Sequence, residues 1–266
     1  MSAPTLEAAR LLVERRGRVL LMTISNPRAR NALAPGMYPA AMATLREAAT
    51  DDGIGAVVLA GEGEHFCGGG NLNRLRAQRE LPPEGQVANL NALHEWVMAM
   101  RECPKPVIAA VEGAAAGGGF SVCLACDLIV AAEDAKFVMS YVKVGLSPDG
   151  GGSDSLVAAL PPQAALELLL DGAPVSAARL HALGVVNRVV ARGRAGAEAL
   201  AWAERLARGP ARAQARIKEL VHAARGRSRQ AQLDAERDAF IESLYHDECG
   251  EGIAAFLEKR VPKFVS

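Results

Sequence analysis

Lys105-Pro106-Val107-Ile108-Ala109-Ala110-Val111-Glu112-Gly113 sets five apolar residues between a proline and a glycine, and after three alanines it meets Gly117-Gly118-Gly119 and the apolar segment Phe120 to Cys126. Proline before and glycine after bound a short buried strand, and the triplet marks a tight passage into the next element. The span Val107 to Ala132 is apolar enough to be taken for a membrane crossing, yet it carries Glu112, Ser121 and Asp127, and the triplet would break a spanning helix. It reads as a buried strand, a turn and a buried helix. A helix that opens right after the triplet aims its unpaired N–H groups and positive dipole end at whatever occupies the turn.

Two further glycine clusters stand beside apolar runs: Cys67-Gly68-Gly69-Gly70-Asn71 and Pro148-Asp149-Gly150-Gly151-Gly152. Without a Cβ in the way, main-chain N–H groups from separate bends can converge on one oxygen. Such a pair stabilises an oxyanion, and removing one donor costs about 3 kcal/mol in comparable sites. The pattern points to an enzyme that turns a carbonyl into an enolate, and a thioester oxygen suits the turn.

Working outward, Leu11 to Ser25 reads as a hairpin, Met37 to Ala49 as a helix, and Ile54 to Ala60 as a β-branched strand. Val87 to Arg101 places Leu90, Leu93, Val97 and Met100 on one helical face and stops at Pro104 and Pro106. Short strands are expected at Leu128 to Val130 and Lys136 to Met139. This alternation predicts an α/β layer arrangement. From Gln163 onward strands nearly vanish, and Ala164–Leu170, Ala195–Arg208, Ala213–Ala224, Ala231–Leu244 and Ile253–Lys259 fit helices. The expected division therefore falls near Pro161-Pro162.

The chain of 266 residues is 50% apolar and 23% charged, enough for a full core. Thirty Lys and Arg balance thirty Asp and Glu, so no global field draws it to nucleic acid or an anionic membrane. Arg205 to Arg229 holds eight Lys and Arg against Glu219 alone, which reads as a solvated helix face or one balanced by the acidic segments Asp234-Ala235-Glu236 and Asp247-Glu248. Five scattered cysteines suit reduced thiols in a cytoplasm, and Met1 to Arg10 shows no signal peptide. Cys123 and Cys126 form a lone C-x-x-C on an apolar helix and read as buried small side chains. Neither a phosphate loop, a G-x-S-x-G elbow nor an H-E-x-x-H pair is present, so no metal or nicotinamide chemistry is expected.

In order and wording the segments resemble the crotonase (enoyl-CoA hydratase/isomerase) superfamily over nearly the whole chain: Asn26-Pro27-Arg28-Ala29-Arg30-Asn31-Ala32-Leu33, then His65 to Leu72, then Lys105 to Gly113 with the triplet and Ala125-Cys126-Asp127-Leu128, and finally Phe256-Leu257-Glu258-Lys259-Arg260. The resemblance implies an α/β fold, a crotonase-like spiral of ββα repeats over residues 1–200 with a C-terminal helical trimerisation region over 201–266, assembled as a homotrimer or dimer of trimers. It implies an acyl-CoA thioester substrate, coenzyme A being part of that substrate, with no covalently bound cofactor. It puts the oxyanion donors at Gly68 and Gly118, lays Arg28, Ala29 and Arg30 along the coenzyme, and gathers Gly69, Gly70, Asn71, Ser121 and Tyr141 at the substrate. Lys259 and Lys263 would reach the phosphates, on a neighbouring subunit if not on their own. The Asn71 amide can cap the helix that follows.

Departures from the family pattern bear on the reaction. A hydratase of this family carries two glutamates, and the corresponding positions here are Ser121 and Tyr141. A hydroxyl with its ordinary pKa is a poor base near neutrality. Asp149, in Gly145-Leu146-Ser147-Pro148-Asp149-Gly150-Gly151, supplies one carboxylate where the family's isomerases can place an acid, and one carboxylate suffices to move a proton between two carbons. The wording is similar to that of enoyl and ring-epoxide isomerases of the phenylacetate-pathway type. The expected activity is an enoyl-CoA isomerase, with an enoyl-CoA hydratase, other thioester chemistry such as hydrolysis, dehalogenation or ring-opening, or an inactive acyl-CoA binder as alternatives. Glu112 reads mainly as packing, and Glu64 and His65 as loop residues that could line the acyl pocket.

Overall fold

The structure, a computed structural model, describes residues 9–264; most of the N-terminal stretch on which the signal-peptide reading rests lies outside them. Strands β1 (Arg10–Arg16), β2 (Val19–Ser25), β3 (Ala56–Gly61), β4 (Val107–Val111), β5 (Ala114–Ala116), β6 (Leu128–Ala132), β7 (Lys136–Val138), β8 (Val175–Ser176) and β9 (Arg188–Val190) form two sheets. One has the order β1-β2-β3-β4-β6-β9, antiparallel at β1–β2 and parallel beyond; the other is β5-β7-β8. The helices are α1 (Tyr38–Thr50), α2 (Leu72–Gln78), α3 (Glu84–Glu102), α4 (Gly118–Ala125), α5 (Gly152–Ala159) and α6 (Pro162–Asp171). They continue with α7 (Ala177–Ala182), α8 (Ala195–Ala207), α9 (Ala211–Ala223), α10 (Arg229–Leu244) and α11 (Asp247–Leu257).

The apolar run Val107 to Val111 is β4, a central strand buried at every residue, as a parallel strand covered on both faces must be. α4 is the helix expected after the triplet and β6 the short strand expected at Leu128, whereas β5, at the three alanines, is a strand the sequence reading did not expect. One face of the large sheet packs on α1, α3 and α4. The other is covered by α8, whose Ala195, Ala199, Ala203 and Ala207 recur every fourth residue and are buried against Val19, Val58, Ile108 and Val130. Small side chains let this helix sit close: a Cβ on Gly55 would lie 2.6 Å from the Ala207 Cα.

The expected division at Pro161-Pro162 does not hold. β9 pairs with β6 and α8 seals the sheet through residue 207, so the chain past the prolines still belongs to the core. Strands of two and three residues, like β8 and β9, carry no readable period, which is why the sequence shows only helices there. Helices α9, α10 and α11 form the tail, and α9 is tied back to the core: the Lys218 ammonium and the His222 ring both reach the Asp127 carboxylate at 2.7 Å.

Candidate active site

The first glycine cluster runs beside β5, its Cys67 N–H donating to Ala114 O (3.0 Å) and its carbonyl accepting from Ala116 N–H (2.9 Å). The approach leaves no room for side chains. A Cβ on Gly69, which sits at φ 86°, would lie 2.5 Å from Ala116 O, and one on Gly119 would lie 2.5 Å from Cys67 O. Gly117 takes φ 49° and ψ −125° at the head of α4, leaving the Gly118 N–H at the helix start.

Which amides remain free differs from the expectation. The Gly68 N–H donates to Arg30 O at 2.7 Å and is engaged within the fold. Two residues on, Gly70 lines the cavity described below, and neither its N–H nor that of Gly118 has an acceptor among the described residues. The sequence shows glycines at 68, 69 and 70 alike. The free donor is decided by Arg30, whose left-handed backbone (φ 52°) turns its carbonyl onto the first of them. Gly69 does not line the cavity; its N–H faces the Cys67 sulfur at 3.4 Å.

Asp149 sits opposite Gly118. A Cβ built on Gly118 would lie 3.6 Å from Asp149 Oδ1 and 3.8 Å from the Tyr141 hydroxyl. The Tyr141 hydroxyl donates to Asp149 Oδ1 at 2.6 Å, and Ser121 Oγ lies 3.1 Å from the Tyr141 hydroxyl. Burial pushes the Tyr141 phenol well above its ordinary range, and the neighbouring Asp149 charge pushes it further. Ser121 is wholly buried and does not line the cavity, so it does not meet a substrate directly as expected. Tyr38, which sequence reasoning did not single out, enters from α1, stacked near Trp96 with ring centroids 5.9 Å apart. Burial pushes its phenol up to about 12, with the Asp149 charge adding and Arg74 opposing.

Tyr38, Gly70, Gly118, Tyr141 and Asp149 line a cavity of about 890 Å³ between α2, α3 and the segment 140–149. Asp149 is its single carboxylate among the described residues, facing Arg74, Arg76, Arg79 and Lys143. A second cavity of about 300 Å³ adjoins it through Leu33 and Arg74 and is lined by Arg28, Ala29 and Asn71. The Asn71 side chain caps α2 as expected, accepting from Asn73 N–H (2.9 Å) and Arg74 N–H (3.2 Å). Arg30 lines neither space, and its carbonyl serves the Gly68 bend instead. Lys259 and Lys263 line neither cavity in their own chain, the Lys263 N–H being held by Glu251.

The other candidates take structural roles. Glu112 accepts from Gly193 N–H (3.0 Å) and Ala195 N–H (2.8 Å) and so caps α8. Glu64 lies 3.6 Å from Arg192 on the surface, and the His65 carbonyl accepts from the Asn31 amide; neither residue lines the cavity. Cys123 and Cys126 are buried thiols, both pushed up by desolvation. On the basic stretch, Arg212 and Arg216 pair with Glu242, and the Arg212 N–H meets Glu248, so the balance comes partly from a neighbouring acid the sequence did not suggest.

Two main-chain donors without acceptors and a carboxylate lining one cavity are the equipment of an enzyme that enolises a carbonyl compound. The chain's relatives belong to that class. Residues 14–266 match the family described as Enoyl-CoA hydratase/isomerase. The chain is similar to the 2,3-dehydroadipyl-CoA hydratase of Escherichia coli K12, 33% identical with 96% of this chain and 98% of that one covered. It is also similar to the 1,2-epoxyphenylacetyl-CoA isomerase of the same organism, 34% identical over 92% and 94%. A crystal structure of an enoyl-CoA hydratase from Polaromonas sp. JS666 superposes with a TM-score of 0.94 at 51% identity, covering 96% of this chain and 99% of that one. The protein belongs to the enoyl-CoA hydratase/isomerase family, an acyl-CoA-processing enzyme of crotonase fold.

Proposed function

We propose that the protein is an enoyl-CoA isomerase in which the Gly70 and Gly118 N–H groups hold the thioester oxygen and Asp149 carries the proton. The observation behind this reading is the single carboxylate of the cavity, set beside Gly118, with hydroxyls where a hydratase of this family has glutamates. Asp149 takes a proton from C2 of a 3-enoyl thioester, and the electron pair moves through the carbonyl to form a dienolate whose oxyanion the two amides bind. The same carboxyl returns the proton to C4, and the double bond comes to rest between C2 and C3. The coenzyme would run through the smaller cavity past Arg28 and Ala29, with the acyl group toward Leu90 and Leu93 of α3.

Asp149→Asn is expected to lower 3-enoyl to 2-enoyl conversion by at least about a hundredfold while coenzyme A affinity stays near that of the parent. Unchanged turnover would remove Asp149 from the mechanism. With crotonyl-CoA the conjugated absorbance should barely fall; rapid loss would favour the hydratase reading, in which Asp149 and Tyr141 orient a water.

We further propose a homotrimer, or a dimer of trimers, built on the tail. Support comes from the apolar side chains that α10, α11 and the residues after them leave uncovered, among them Phe240, Tyr245, Phe256, Leu257 and Val261. In such an assembly Lys259 and Lys263 would serve a neighbour's coenzyme.

A further inference from the structure

We infer that Tyr141 is a positioning residue for Asp149, and that Ser121 and Tyr141 form a one-way hydrogen-bond chain that leaves the carboxylate a single free oxygen for the substrate. The inference rests on the reading of Asp149 as the proton carrier.

The direction of the chain follows from its end. The Tyr141 O–H donates to Asp149 Oδ1 at 2.6 Å, which uses the one proton the phenol has to give. The Tyr141 oxygen is then an acceptor toward Ser121, whose Oγ–H points to it across 3.1 Å. Ser121 cannot turn elsewhere readily: it is fully buried, and only a glycine fits behind it at 152, where a Cβ would lie 2.6 Å from its Oγ. The phenol is itself nearly buried. Asp149 is thereby held through Oδ1, on the side where Gly118 approaches it, and Oδ2 is left to the reacting carbons.

Two hydroxyls in place of two carboxylates change the chemistry available. Tyr141, itself held by Ser121, donates to one carboxylate oxygen and fixes the plane of the carboxylate without supplying a second base. The other charged and titratable groups facing Asp149 are Tyr38 from α1, Arg74 from α2 and Lys143 from the segment after Tyr141, with Arg76 and Arg79 further along the cavity; the lining residues contributed by α3 are uncharged. None of them is hydrogen-bonded to Asp149, and among the described residues Tyr141 is the one side chain that is.

The test compares Tyr141→Phe and Ser121→Ala with the parent. Asp149 is titrated by NMR of a carboxyl-labelled sample, its resonance identified by its loss in Asp149→Asn, and isomerase kinetics are run against pH. In Tyr141→Phe the Asp149 midpoint should rise by about one pH unit, and the acid limb of kcat should move up with it. At neutral pH kcat should fall about tenfold with KM for the thioester nearly unchanged. Ser121→Ala should shift the midpoint in the same sense by less. An Asp149 midpoint that stays put in Tyr141→Phe, in a variant whose circular dichroism matches the parent, would overturn the proposal. The titration needs no substrate, so it judges the chain even if Asp149→Asn retains turnover and the isomerase reading fails.

Discussion

Gly119 holds a place that any side chain would spoil. A glycine inside a helix ordinarily gains up to about 1 kcal/mol on replacement by alanine. Here the new methyl group would meet Cys67 O at 2.5 Å and the Cys67 Cβ and sulfur at 2.7 Å, and overpacking against main chain costs about 1–3 kcal/mol. Gly119→Ala should therefore lower the denaturation midpoint, and a raised midpoint would contradict the close approach of the two bends. At this scale the sequence was readable where chemistry announces itself. Asp149 stands out because an acid between proline and glycines has few neighbours to share its role. Gly68 and Gly70 could not be told apart, because the choice between them lies in a carbonyl from the distant Arg30. The contact of Tyr141 with Asp149 was equally hidden, since the chain between them doubles back through the left-handed Gly145 (φ 70°).

Among the elements, α9 shows how a charged helix is fastened to an apolar core. Asp127 accepts the Val107 N–H at 2.7 Å at the start of β4 and also meets Lys218 and His222 from the tail. Lys218 is only 8% exposed and donates in addition to the carbonyls of Met100 and Lys105, so its charge has little water to turn to. Asp127→Asn keeps an oxygen for Val107 and removes the charge alone. It should cost about 3–5 kcal/mol, read as a large drop in Tm, because an ammonium is left buried without its counter-ion. An unaltered Tm would show that the anchor is not electrostatic. Long patterned elements such as α3 and β4 were legible from periodicity and from bounding prolines. By contrast β8 and β9 were not, because their identity depends on partners contributed from elsewhere, and the seven-residue α2 was signalled only by its Asn71 cap.

At the scale of the whole molecule, a tail anchored by ions to the core turns an apolar face outward. Phe256 and Val261 are 83% and 82% exposed, an arrangement an isolated chain does not ordinarily keep. Replacing both by aspartate should convert the assembly to monomers in sedimentation equilibrium while the spectrum of the folded core persists; a parent protein that sediments as a monomer would refute the trimer outright. The Arg30 carbonyl, clasping the Gly68 amide, joins two regions that otherwise share no covalent neighbourhood. In the proposed reading, where the coenzyme lies along Arg28 and Ala29, this stitch ties its grip to the placing of the Gly70 amide two residues ahead, and a thioester of a short pantetheine fragment should turn over with a lower kcat than the full coenzyme ester.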